Sequence, residues 1–241
     1  MVKLWLACNK YIFIGIISCL KRAMSTSYDA VIFDSDGVIV ESPSKQTFQR
    51  AVEQTFGNFN LSHPRRADLR AFVTQNVQAI KDLSDRYQVD LHELCQEAAS
   101  QALREQKREF KEGLRSLYDD VVSLRSLDLS LGVVSDNQHS LVKYALEYSG
   151  LRDWFDTVYG LEFTPNGLHR AKPSPYYLNK ALSDLDTTDA LYVGDRARDV
   201  EAANNAGIDS VLLCRSGDSI KCGVAPTYVV SSLCAIPRLL E

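Results

Sequence analysis

The sequence is short of the features that would settle its chemistry at a glance. Its six cysteines (Cys8, Cys19, Cys95, Cys214, Cys222 and Cys234) form no Cys-x-x-Cys pair. That spacing signals neither a zinc site nor a disulfide framework. A reducing cytoplasm is the expected setting, with the last four cysteines read as small buried hydrophobes. Basic residues are not in excess: 27 Lys and Arg face 31 Asp and Glu, a net charge of −4. Nucleic acid is therefore not an expected partner. Internal repeats, low-complexity tracts and Pro/Gly/Ser linkers are absent too, which leaves no sign of a solenoid or a tethered array.

A long apolar run is also missing. The uncharged stretch from Tyr11 to Leu20 is short for a membrane span. It has the outline of a signal peptide, but no small-x-small cleavage site follows it. Ile16-Ile17-Ser18-Cys19 offers a loose lipidation box as a second reading. The favoured expectation is that residues 1–24 are an extension and that translation begins at Met24, a few residues before an opening strand at Tyr28. What remains is ordinary for a soluble globular protein: 241 residues, 45% hydrophobic and 24% charged. That is enough for one large or two small domains.

The chain changes texture along its length. Residues 43–114 contain no strand candidate. They read as three helices, Pro43 to Phe56, one starting near Ser62 that carries Leu69, Phe72, Val73, Val77 and Ile80, and Leu91 to Phe110. On either side, residues 25–42 and 115–241 alternate strand and helix. Helices are expected at 118–127, 138–148, 175–185 and 197–206. Strands are expected at 129–134, 157–159, 190–193 and 210–213. Alternation of this kind predicts an α/β fold with a parallel sheet covered on both faces. The helical block is then an insertion after the first strand.

The most informative segment is Val31-Ile32-Phe33-Asp34-Ser35-Asp36-Gly37-Val38. A buried strand ends in two acids one residue apart, at the carboxyl edge where open parallel sheets place ligands. Alone, Asp-x-Asp-Gly is often only a turn. Two converging carboxylates otherwise imply a bound metal, a nucleophile beside an acid/base, or both. Three companions fall at equivalent points: Ser135 with Asp136-Asn137 after the second strand, Lys172 in Ala-Lys-Pro-Ser-Pro, and Asp195 with Asp199 one turn later. Each has a bland reading, as turn residue, solvated lysine or first-turn acid. Together they make chemical sense. Magnesium prefers oxygen ligands, and Asp34, the carbonyl of Asp36, Asp195 and Asp199 could supply them. Asp34 could attack phosphorus, with Asp36 as acid and base. Lys172, Ser135 and an amide near Asp136 or Asn137 could hold phosphoryl oxygens.

These residues resemble the four motifs of the haloacid dehalogenase superfamily of phosphohydrolases, and most closely its phosphoglycolate-phosphatase-like branch. Asp34 to Val38 match the first motif, Ser135 the second, Lys172 the third and Gly194 to Asp199 the fourth. The resemblance implies a Rossmann-like core, an α-helical cap formed by residues 43–114, and magnesium-dependent hydrolysis of a small phosphorylated metabolite through an aspartyl-phosphate. A sugar phosphomutase and a non-catalytic binding protein are the alternatives. Asp36 distinguishes the chain from true dehalogenases, which lack that acid. Ser35 is more polar than the usual residue there and has no assigned role. Arg65, Arg66 and Arg70 read as a solvated basic face rather than as substrate contacts, and Lys45, Gln75, Asn76 and His139 carry no role. Pro43 and Gly113 are candidate hinges. A monomer or homodimer is expected.

Overall fold

The computed structural model describes residues 28–215 and 223–240. The expectations for a start at Met24, for Tyr11 to Leu20, and for Cys8, Cys19 and Cys222 lie outside the described residues.

Six parallel strands form one sheet in the order β3-β2-β1-β4-β5-β6. They are β1 (Ala30–Phe33), β2 (Ser130–Gln138), β3 (Thr157–Leu161), β4 (Ala190–Gly194), β5 (Asp209–Leu213) and β6 (Tyr228–Val230). β1 lies between β2 and β4, with Ala30 opposite both Ser130 and Ala190. Period-two alternation sorts the apolar residues onto two faces. Val31, Phe33, Leu191 and Val193 enter one buried cluster with Leu146 and Ile236. Ala30, Ile32, Ala190 and Tyr192 enter another with Leu178 and Ala203. Both faces are buried, which is why these strands read as continuous apolar runs.

Four helices fill the gap between β1 and β2: α1 (Lys45–Asn58), α2 (Arg66–Val73), α3 (Val77–Tyr87) and α4 (Leu91–Lys111). Ser44, Asn76 and Asp90 cap α1, α3 and α4 by accepting from the amides of Thr47, Ala79 and Glu93, each closing an otherwise open helix end. The single helix expected from Ser62 through Ile80 is two. Gln75 adopts a left-handed conformation, with φ 54°, and Asn76 starts α3, so the apolar spacing runs on across a break. Phe56, Phe72, Ile80, Leu83 and Leu94 of this block share the buried cluster that contains Ile32 and Tyr192. The core of the block is therefore continuous with that of one sheet face, while Phe110 of α4 joins the cluster of the other.

The return to the sheet also differs from expectation. Residues 118–127 form a 3₁₀ helix, Asp119–Ser126, and not an α-helix. Ser123 and Ser126 donate their hydroxyls to carbonyls three residues back, and this competes with regular helical bonding. The remaining helices are α5 (His139–Tyr148), α6 (Pro165–Leu168), α7 (Tyr176–Asp184), α8 (Ala197–Ala206) and α9 (Ile236–Leu239). Neither β6 nor the short α6 and α9 was expected. Of the cysteines read as buried, Cys95 is, but Cys214 is half-buried and Cys234 exposed. Cys214 follows the last residue of β5, and Cys234 lies in the short 3₁₀ helix Leu233–Ala235. Among the described residues no helix is long and apolar enough to cross a membrane.

β3 and the start of α5 approach each other at Gly160. A Cβ there would lie 2.5 Å from the Cα of His139, whose Nδ1 accepts from the Gly160 amide at 3.1 Å. Because the obstacle is backbone, a methyl group can fit only by moving the strand. Gly160→Ala is expected to destabilise the protein by about 1–3 kcal/mol, read as a lower urea midpoint with an unchanged slope.

Candidate active site

The carboxyl ends of β1, β2 and β4 converge with the loop that precedes α7. Asp34 directly follows β1, and its amide still donates to Val193. One carboxylate oxygen of Asp34 accepts from the Ser35 amide at 2.7 Å, and the other faces Lys172 Nζ at 2.9 Å. Ser35 is buried, and its carbonyl accepts from the amides of Val38, Ile39 and Val40. The residue unexplained by sequence thus closes the turn that separates the two acids. Gly37 completes that turn at φ 83°, and a Cβ there would collide with the Asp195 carboxylate. Glycine is needed both for the backbone and for the approach.

Lys172, reached through a cis Lys172–Pro173 peptide, is buried. Its ammonium meets Asp199 at 2.5 Å and the Tyr192 hydroxyl at 2.9 Å, as well as Asp34. Burial opposes its charge, but Asp199, Asp34, Tyr192 and Asp136 outweigh burial and hold it protonated well above its ordinary range. Tyr192 in turn donates to the carbonyl of Val134. Asp199 has one oxygen on Lys172, and the other caps α8 by accepting from the Arg196 amide. It serves first as the counter-ion of Lys172.

Asp34, Asp195 and Asp199 each offer an oxygen within 4.8 Å of the others. One oxygen of Asp195 is buried with no hydrogen-bond partner. Burial raises its pKa to about 7, with Asp34 and Asp199 adding to the effect. Three carboxylates share one ammonium and the more distant Arg196, 3.7 Å from Asp195. This donor set, with its orphaned oxygen and surplus negative charge, fits a hard divalent cation such as magnesium. The side chain of Asp36 is not in this group. It turns instead to Arg115 and to Asn137 Nδ2, the latter at 2.6 Å.

Arg115 is the residue that sequence reasoning missed. It is buried and reaches Asp36, the Glu41 carbonyl and Gln106 Oε1. Gln106, on α4, also accepts from Asn137 at 2.9 Å. Both donors to Asp36 are thus tied to the helical block. Burial raises the Asp36 pKa and Arg115 opposes it, with Asp34 raising it further. Ser135 and Asp136 stand beside these groups in the wall of the same cavity. Asp136 accepts from the Lys172 amide at 2.9 Å and pairs with Arg198 at 3.2 Å. Gln75 donates to the Asp136 carbonyl at 2.9 Å, which brings it into the site.

The cavity between helical block and sheet measures about 160 Å³ and is lined by Asp34, Asp36, Ser135 to Gln138, Arg196 and Arg198 on the sheet side. Pro43 also lines it, whereas Arg65, Arg66, Arg70, Lys45, Asn76 and His139 do not. Arg65 is bound to Asp68, Arg66, Arg70 and Lys45 are exposed, Asn76 is a cap, and His139 holds Gly160.

The family described as haloacid dehalogenase-like hydrolase matches residues 31–213. Among curated proteins, the pyrophosphatase PpaX of Bacillus mycoides is 25% identical over 217 residues, covering 88% of this chain and 97% of its own. PpaX of Listeria monocytogenes is 35% identical over a shorter span, 39% of this chain and 40% of its own. Among solved structures, CbbY from Rhodobacter sphaeroides, crystallised with phosphate, has a TM-score of 0.63 at 18% identity, covering 87% of this chain and 96% of its own. A subfamily IA hydrolase from Geobacter sulfurreducens scores 0.56 at 22% identity, covering 90% and 98%.

The raised Asp195 pKa has a consequence for stability without a bound metal. Between the ordinary 3.8 and about 7, the folded state holds a proton that the unfolded state has released. Unfolding is therefore favoured as pH rises through that window. Metal-free protein is expected to lose thermal stability between about pH 4 and pH 7 from this group. Added magnesium should restore it most at the upper end, as read by melting curves in chelator and in magnesium.

Proposed function

The chain belongs to the haloacid dehalogenase-like hydrolase family, and on that premise we propose that it is a magnesium-dependent phosphatase of a small phosphorylated metabolite. The observation that carries this reading is the separation of two carboxylates at one cavity floor. Asp34 lies against the ammonium of Lys172, while Asp36 is turned away to Arg115 and Asn137. Environments that push two acids apart in this way assign them different roles.

Asp34 attacks phosphorus through one carboxylate oxygen, forming an aspartyl-phosphate as the bond to the leaving oxygen breaks. Asp36, whose pKa is raised by burial, gives its proton to that leaving oxygen. As a carboxylate it then takes a proton from water. The hydroxide attacks phosphorus, the bond to Asp34 breaks, and inorganic phosphate leaves with Asp34 and the protonated Asp36 regenerated. Lys172 offsets the charge that develops on the phosphoryl oxygens, with Ser135 and the amides after it beside them. Magnesium, held by Asp34 and Asp195, would supply further neutralisation of those oxygens. Residues 43–114 act as a cap that shelters the reaction from bulk water, with Gln75, Gln106 and Arg115 as the links between cap and floor.

The curated PpaX relatives support phosphorus–oxygen hydrolysis as the reaction class. Asp34→Asn is expected to abolish phosphate release from p-nitrophenyl phosphate in magnesium, a loss of at least 10³-fold by analogy with removal of a covalent nucleophile. Retained turnover in a folded Asp34→Asn variant would refute the mechanism.

A further inference from the structure

Each wall of the cavity has its own chemistry. The sheet side carries all the charge: Asp34, Asp36 and Asp136, with Arg196 and Arg198. The helical side carries none. Its lining includes Phe48, Val52, Phe72, Val73, Ala99 and Ala102, with Gln75 and Gln106 as its amides. Gln106 is already engaged by Arg115 and Asn137. Gln75 donates to the Asp136 carbonyl, which fixes its amide orientation and leaves Oε1 buried without a partner. Neither amide carries the positive charge that would hold a second oxyanion. Val73 is half exposed at the end of α2, one of few large apolar residues so placed, and it faces this space.

The cations on the sheet side do not offset this. Arg198 pairs with Asp136 at 3.2 Å, and Arg196 leans toward Asp195. Both lie with the acids at the phosphoryl end. At about 160 Å³ the cavity is also well under the roughly 300 Å³ of a drug-sized site.

Resting on the phosphatase reading above, we propose that the preferred substrates are phosphate monoesters of small, uncharged and mainly apolar alcohols. Substrates whose leaving group is itself anionic, such as phosphoglycolate or pyrophosphate, are then poor ones. The charged floor takes the phosphoryl group, and the roof takes the alcohol through burial of carbon.

The test is a homologous series of methyl, ethyl, propyl and butyl phosphate, whose leaving groups differ little in acidity. Phosphoglycolate, pyrophosphate and p-nitrophenyl phosphate are run alongside, all with the full-length protein in magnesium. The expected result is a rise in kcat/KM of up to about 4-fold per methylene, the equivalent of ~0.8 kcal/mol per buried CH₂. Butyl phosphate should exceed phosphoglycolate and pyrophosphate. Val73→Lys, which puts a cation into the roof at an exposed position, should shift the phosphoglycolate to butyl phosphate ratio toward phosphoglycolate by 10-fold or more. A flat alkyl series, or phosphoglycolate or pyrophosphate matching butyl phosphate, overturns the proposal and leaves the phosphatase reading standing. Absence of turnover on every ester, p-nitrophenyl phosphate included, overturns both.

Discussion

A single buried ammonium organises the catalytic edge. Lys172 comes from the loop before α7, and Asp34 from the end of β1, Asp199 from α8 and Tyr192 from β4 all meet at its nitrogen. Removing the ammonium from such a cluster would leave the buried carboxylates of Asp34 and Asp199 without compensation. The same cation lies between Asp34 and Asp199, the two buried members of the acidic group that also contains Asp195. The result is a site with surplus negative charge on one flank, where a divalent cation fits, and Asp34 paired with the ammonium on the other.

The second organising contact links distant parts of the chain. Arg115 stands where the helical block returns to the sheet, and it grips Asp36, Gln106 and the Glu41 carbonyl at once. Asn137, from β2, joins the same network through Gln106. The Asp36 carboxylate therefore takes its hydrogen bonds from groups whose positions depend on how the block sits. The charge of Asp36 and the placement of the roof are set by the same few side chains.

Much of this was legible in the sequence because the strands announce themselves. β1 and β4 are apolar runs that end abruptly, with Asp34 and Asp195 just past their ends, while Ser135 to Asn137 close β2 and Lys172 lies in the loop before α7. Other features had no local signature. Gln75 bends the chain into a left-handed conformation that composition does not signal, so two helices read as one. β6 has three residues and a partly exposed pattern, too short for alternation to show. Arg115 is an isolated arginine whose meaning depends on an acid 79 residues earlier. The arginines of the helical block ran the other way: a basic cluster was conspicuous in sequence, while the structure leaves it outside the cavity and the roof uncharged.

The position of β1 also governs how the chain must assemble. The strand at the centre of the sheet is the first in sequence, and its neighbours start 100 and 160 residues later. Neither pairing can form by local zippering. Both require closure of very long loops before any hydrogen bond repays the entropy. The helical block and the later βα units can form from nearby contacts, whereas the strand that leads into Asp34 must wait for both flanks. Folding of this protein is thus expected to be slow and to complete its active site last, so that a chain able to carry out chemistry is one whose whole sheet has already closed.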